Sequence, residues 1–112
     1  MYQFKSDCQS CLWEQLAVQG VESKTIYFDE ETNVKTVETR IAAGATIPRH
    51  SHTHANETVY VLSGDFIEDG EKYGPGSYFA GKAGTAHGPH HSVGGCVVIT
   101  HWIGGPVDFV QE

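Results

Sequence analysis

Residues 44–64 read GATIPRHSHTHANETVYVLSG, and this stretch carries a histidine cluster and the most β-prone segment of the chain. Threonine, valine and tyrosine over residues 58–62 favour an extended strand, because their side chains suit a pleated surface. Ser63 and Gly64 follow it as turn residues. The stretch therefore predicts a β-strand preceded by a histidine-rich turn.

Possible metal ligands around that strand fall on shared faces, because alternate residues of an extended chain point to the same side. His50 and His52 are two residues apart, so their side chains share a face when the backbone is extended. Glu57 begins the strand, and Val59 and Val61 have its parity, so an inward-facing carboxylate would stand beside an apolar wall. This spacing favours one cation between the two rings and the carboxylate.

A second histidine cluster, His87-Gly88-Pro89-His90-His91, begins 35 residues after His52. That separation allows a further hairpin to return the chain to the first cluster, where His87 would supply a fourth ligand. Three imidazoles and one carboxylate suit iron, manganese, nickel, zinc or copper, and they do not suit calcium or magnesium.

Outward from these clusters, the chain repeats short apolar segments with turn signals between them. The predicted strands cover residues 25–28, 34–41, 46–48, 58–62, 66–68, 72–73, 77–79, 96–103 and 107–110. With 13 glycines in 112 residues and no alternation of strands with long helices, the pattern predicts an all-β sandwich or barrel.

The first residues follow a different pattern. Apolar side chains at 12, 13, 16 and 17 have helical spacing and predict one or two helical turns that end at Gly20. We therefore expect a single domain over 1–112, with an N-terminal arm over 1–23 and a β-barrel over 24–112.

Charge and hydropathy exclude several classes of partner. The net charge is −7, from 14 acidic and 7 basic residues, which disfavours nucleic acids and anionic membranes. No apolar run approaches the roughly 18 residues that span a bilayer, and no signal peptide is evident at the start. A cytoplasmic location is the expectation.

The chain has three cysteines, an odd number that does not suggest a disulfide framework. Cys8 and Cys11 form a single CxxC motif, which can be redox-active or half of a zinc site, or can be two plain thiols in the arm. Cys96 begins the last long predicted strand, where a buried thiol is expected.

The spacing of the two clusters resembles the two sequence motifs of the cupin superfamily. The first motif is matched by Gly44, His50, His52, Glu57 and Gly64 at every interval. The second is matched by Gly76, Gly84 and His87, with Lys82 and His91 standing where the family usually has proline and asparagine. The resemblance covers roughly residues 34 to 103. The run from His87 to Cys96 is similar to the subgroup that contains ChrR-type anti-sigma factors and acetylacetone dioxygenase.

The resemblance implies a small jelly-roll β-barrel that binds one metal through His50, His52, Glu57 and His87. It also implies an Fe(II)-dependent dioxygenase acting on a small carbonyl or diketone substrate, with Mn, Ni or Zn as other possible ions. The alternatives are a non-catalytic metal- or ligand-sensing module, and a Mn- or Zn-dependent isomerase or lyase. A homodimer is expected, with the apolar positions Tyr60 and Leu62, on the face opposite Glu57, as the contact.

Several residues keep more than one interpretation. Glu57 is either a ligand or a catalytic base beside a three-histidine site. His54 could replace His50 as the partner of His52. His90 and His91 are predicted to lie on the surface or to orient His87, and His101 to pack in the core or face the cavity.

Overall fold

The computed structural model describes residues 1–112 and contains twelve β-strands and no helix. The strands are β1 (Glu14–Gln15), β2 (Val21–Asp29), β3 (Val34–Ile41), β4 (Thr46–Ile47), β5 (His50–Ser51), β6 (Asn56–Gly64), β7 (Phe66–Glu68), β8 (Glu71–Tyr73), β9 (Tyr78–Gly81), β10 (His90–His91), β11 (Cys96–Ile103) and β12 (Val110–Gln111). No helix long and apolar enough to cross a bilayer is present.

The strands form two main antiparallel sheets and a small ribbon. The larger sheet has the order β1-β2-β3-β11-β6-β9, and the smaller has the order β4-β10-β7-β8. The ribbon pairs β12 with β5. The inner faces of the two sheets enclose a cavity, as a jelly roll does. The predicted all-β jelly-roll fold is confirmed.

Alternation along β6 fixes which side chains face inward. Glu57, Val59 and Val61 are buried, whereas Tyr60 and Leu62 on the opposite face are 45% and 44% exposed. β11 lies beside β6 and buries Val98 in the same way, after a bulge between residues 97 and 98. The face of Glu57 therefore belongs to the barrel interior, as the parity predicts.

The interior contains an apolar core, part of which lines a cavity. Its buried members are Ile41, Val59, Val61, Phe66, Cys96 and Val98, and Phe79, Ala45 and Ile47 pack against them. Cys96 is a free, buried thiol, as predicted, and burial raises its pKa. The same cavity is lined by His50, His52 and His90.

The predicted helical turns in the arm are wrong, because strand pairing and side-chain packing determine the conformation there. β1 pairs with the edge of β2, and the Trp13 ring lies over the cationic groups of Lys24 and Arg40, at 4.7 and 4.1 Å. A one- or two-turn helix has little stability of its own, so these contacts outweigh it. The division at residue 23 stays a prediction, and β2 begins at Val21.

Cys8 and Cys11 form a disulfide in the arm, with 4.6 Å between their Cα atoms. The interpretation of this pair as two plain thiols is therefore wrong. The Cys8 carbonyl accepts a hydrogen bond from the Lys24 ammonium, so the bridge lies against the outer side of β2. Disulfides are rare in the cytosol, and this bridge therefore does not support a cytoplasmic location. That location stays a prediction.

Candidate metal centre

The two histidine clusters meet through their backbones. The His50 amide donates to the His87 carbonyl at 2.9 Å, and the His87 amide donates back to the His50 carbonyl at 2.8 Å. β12 pairs with β5 on its other side. These contacts bring together residues that are 37 positions apart in the chain.

Backbone carbonyls orient two of the rings. The Nδ1 atom of His50 lies 2.7 Å from the Pro48 carbonyl, and the Nδ1 atom of His52 lies 2.5 Å from the Asp108 carbonyl. A carbonyl can only accept, so each Nδ1 carries the proton. In the neutral ring the Nε2 lone pair is then free, which is the form that binds a metal.

The Nε2 atoms of two of the rings converge on one carboxylate. The Nε2 atoms of His52 and His87 lie 3.2 and 3.1 Å from the two oxygens of Glu57. The Nε2 atoms of His87 and His50 are 3.0 Å apart. Glu57 also accepts a hydrogen bond from the Trp102 indole at 3.0 Å. The structure thus brings all four predicted site residues together.

Two overlapping groups of donor atoms could hold an ion, and each has its atoms within 4.8 Å of one another. One comprises His52, Glu57 and His87, and the other comprises His50, His87 and His90. His87 belongs to both. His90 is 9% exposed and contacts Glu68, so its predicted place on the surface is wrong.

A divalent transition metal fits this donor set. The two Nε2 atoms of His50 and His87 can share a hydrogen bond only if one of them is protonated, whereas an ion accepts both lone pairs. The buried Nε2 of His52 lies 3.2 Å from a Glu57 oxygen without forming a hydrogen bond of good geometry, so this nitrogen is open to an ion. Imidazole and carboxylate donors at these separations match the coordination preferences of such an ion.

The protonation of the site follows from its burial and its contacts. Burial lowers the pKa of His50 from 6.5 to about 4, against the opposing effect of the Pro48 carbonyl. Burial also opposes protonation of His52, but the contacts with Glu57 and the Asp108 carbonyl outweigh it and raise the pKa. Burial alone would raise the pKa of Glu57. The neighbouring His52 and His87 outweigh burial, so the pKa of Glu57 is lowered overall. His50 is therefore neutral and ready to bind at pH 7.

These directions predict acid sensitivity of the metal-free protein. His50 takes a proton near pH 6.5 when unfolded but only near pH 4 when folded, so its contribution to stability is lost as the pH falls through that window. We expect the free energy of unfolding to drop by roughly 2 kcal/mol between pH 7 and pH 4.5 from this group. Urea unfolding of EDTA-treated protein measures it, and His50→Gln should flatten the slope. An unchanged slope in that variant would contradict the assignment.

A cavity of about 350 Å³ opens beside the histidines. Its wall is mainly apolar and includes Val21, Ile47, Val98, Phe109 and the arm residue Leu16. No lysine or arginine side chain lines it, and Glu57 is its one acidic residue. The cavity suits a small neutral molecule with a polar atom turned towards the ring nitrogens.

Three other histidines lie away from the centre. His54 is exposed, so the alternative pairing of His52 with His54 is not formed. His91 is hydrogen-bonded to Thr46 at 2.8 Å, on the opposite side of β10 from His90. His101 is hydrogen-bonded to Thr36 at 2.7 Å and has the parity opposite to the cavity-lining residues of β11, so it does not face the cavity.

Sequence reasoning did not find four residues of the site. Asp108 and Phe109 come from the segment before β12; the Phe109 ring stacks on His50 with 4.0 Å between centroids. Trp102 and Glu68 contact Glu57 and His90. The parity of Trp102 on the last long strand was the one available signal, since it matches that of the inward-facing Val98.

The sequence profile of the ChrR cupin-like domain matches residues 3–103. The chain belongs to this cupin family. The predicted resemblance to the cupin superfamily is therefore confirmed. No curated protein sequence matches the chain.

Solved structures similar to this cupin share its fold. KdgF from Halomonas sp. is 24% identical, with a TM-score of 0.74, over 87% of this chain and 91% of that one. An acetylacetone dioxygenase from Acinetobacter johnsonii is 15% identical, with a TM-score of 0.73, over 99% and 85%. The anti-sigma factor ChrR of Rhodobacter sphaeroides, solved with SigE, gives 22% identity and a TM-score of 0.68 over 85% of this chain and 50% of that one.

Proposed function

We propose that this cupin is a mononuclear metalloenzyme, an Fe(II)-dependent dioxygenase that acts on a small neutral carbonyl or diketone compound. The proposed ligands are His50, His52, Glu57 and His87. The observation that carries the proposal is that three of these donors, His50, His52 and Glu57, line an apolar cavity that no lysine or arginine side chain lines. A similar acetylacetone dioxygenase structure supports the same reaction class.

The side chains of the cavity would bind and orient the substrate. Its apolar wall favours a hydrocarbon portion and excludes water, while a carboxylate or phosphate would find no cation to pair with. Apart from the site residues, the polar groups of the wall are the Thr39 and Thr100 hydroxyls, the Trp102 indole and the His90 imidazole. An Fe(II) ion held by these ligands would supply the binding of dioxygen and the acidification of a bound enol.

Glu57 is the residue that would hold or move a proton. Its two oxygens contact different imidazoles, and the Trp102 indole donates to Oε1, so the carboxylate is fixed. Oε2 contacts His87 and carries no hydrogen bond from Trp102. Oε2 is therefore the oxygen that would accept a proton from the substrate.

Oxygen consumption tests the proposed reaction. Protein loaded with Fe(II) under nitrogen is mixed with aerated pentane-2,4-dione, and uptake is followed with an electrode alongside product formation. We expect uptake that needs both iron and the diketone, and none with a sugar carboxylate. Absence of uptake with a panel of neutral diketones and enols, despite bound iron, would overturn the proposal.

The Glu57→Gln variant separates the two roles of that residue. As a ligand, the neutral amide should weaken metal affinity and change its pH dependence. As a base, it should leave the metal content unchanged and lower turnover by about 10²–10⁴-fold. We expect the ligand outcome. Unchanged metal content and turnover would show that Glu57 has neither role.

A sensing module is the second candidate. The matching family is named after ChrR, and a similar ChrR structure was solved in complex with SigE. In that case metal or small-molecule binding would change a partner surface without turnover. Metal-dependent binding to a sigma factor, together with no oxygen uptake, would favour this candidate over the enzyme.

We also propose a homodimer formed through the outer face of the larger sheet. Tyr60, Leu62 and Tyr78 are exposed on this face, and Tyr60 and Tyr78 are cross-strand partners. Light scattering at micromolar concentration should give twice the chain mass of 12.2 kDa, and Leu62→Lys should give the monomer. A monomeric wild type would contradict the proposal, and Leu12→Lys on the exposed arm serves as the control.

A further inference from the structure

His90 is a buried imidazole that the four-ligand site does not use. It is on β10 directly opposite Glu68 of β7, and its Nδ1 atom lies 2.5 Å from a Glu68 carboxylate oxygen. The other oxygen of Glu68 accepts the Gly88 amide at 2.8 Å, which fixes the carboxylate. Both partners are on short paired strands, so the position of the ring is set by the sheet.

The same ring faces the metal centre. It is stacked on Phe66 with 5.2 Å between centroids, and its centroid lies 5.3 Å from that of His50 and 5.4 Å from that of His87. Because Glu68 occupies Nδ1, Nε2 is the nitrogen that remains for another partner. No side chain or backbone group forms a hydrogen bond with it.

A purely structural role would be that of a buried histidine–carboxylate pair. Such a pair explains the contact at Nδ1, but it does not explain why the ring lies with His50 and His87 in a group of donors within 4.8 Å. Two donor atoms bound to one ion by bonds of about 2.1 Å are at most about 4.2 Å apart. The donor group of 4.8 Å therefore needs only a small shift of the His90 ring for its nitrogen to bind the same ion. The carboxylate behind it is the partner that metal-binding histidines commonly have.

We propose that His90, held by Glu68, is a fifth metal-binding side chain of the centre. The inference rests on the proposed metal site and adds a ligand to it. Four imidazoles and one carboxylate would favour ions that prefer nitrogen donors, and would disfavour magnesium and calcium.

Cadmium provides a direct count of the ligands. In protein labelled with ¹⁵N-histidine and loaded with ¹¹³Cd(II), each imidazole nitrogen bonded to the ion is split by the metal nucleus. We expect four split nitrogens in the wild type and three in His90→Ala. The His90→Ala variant should still bind one ion, with a dissociation constant that a chelator competition shows to be raised at least about tenfold. His91→Ala, on the opposite side of β10, is the matched control and should match the wild type.

The outcomes separate this inference from the proposed function. Three split nitrogens in the wild type would overturn the fifth ligand while leaving the metal site intact. A wild type with no bound cadmium, zinc or iron would overturn both. The count in the wild type needs no variant, so it decides the question even if His90→Ala does not fold. Glu68→Gln gives a second variant, in which loss of the His90 splitting would show that the carboxylate positions the ring.

Discussion

His87→Ala is expected to leave the protein without stoichiometrically bound divalent metal. The residue belongs to both donor groups, and its Nε2 atom lies 3.0 Å from that of His50 and 3.1 Å from a Glu57 oxygen. Removing it breaks both groups at once. Elemental analysis after dialysis against metal-free buffer should fall from about one ion per chain to below about a tenth.

Two further variants make this result interpretable. His54→Ala removes an exposed imidazole from the same loop and should retain full metal content, because His54 does not reach the centre. His52→Ala should also lose stoichiometric binding, since His52 and Glu57 hold one side of the site. Full occupancy in His87→Ala, with an unchanged circular dichroism spectrum, would show that the proposed ligand set is wrong.

Gly64→Ala is expected to yield no stably folded protein. Gly64 has φ +82°, and a Cβ atom built on it would lie 2.0 Å from the Gly95 carbonyl oxygen and 2.7 Å from the Cys96 Cα. Both neighbours are backbone, in the segment that enters β11, so no side chain can rotate out of the way. The clash adds to the left-handed strain, and we expect a loss of more than about 4 kcal/mol.

Gly44→Ala is the matched control for that variant. Gly44 has φ +83°, but a Cβ atom there would meet nothing within 4 Å. Only the conformational strain remains, which is about 1–2 kcal/mol. Urea unfolding and soluble yield compare the two variants. Equal stabilities would show that Gly64 is needed for its dihedral angle alone and not for the close approach of β11.

The sequence made the barrel predictable where side-chain alternation reflects burial. β6 is the clearest example, because Glu57, Val59 and Val61 are buried as their parity predicts. The arm was predicted incorrectly, because helical spacing over so few residues is weaker than pairing with a strand edge. Trp13 is not part of the apolar core. Its ring packs on Lys24 and Arg40, which are distant from it in the sequence.

The site was partly predictable for a related reason. His50, His52 and Glu57 lie within eight residues, and His87 follows 30 residues after Glu57; intervals between residue types such as these are visible in a sequence. The group that orients His52 is a backbone carbonyl 56 residues away, which no residue type reveals. The partnership of His90 with Glu68 depends on the register of two short strands, which lie on different hairpins.

The segment before β12 has a consequence for how long an ion would stay bound. The Asp108 carbonyl fixes His52, and the Phe109 ring covers His50, so these two imidazoles are held by a stretch of chain close to its last strand. β12 contributes only two residues to the ribbon, and such short pairings open locally at little free-energy cost. The lifetime of a bound ion would then be governed by how often this stretch detaches, and far less by the stability of the barrel as a whole.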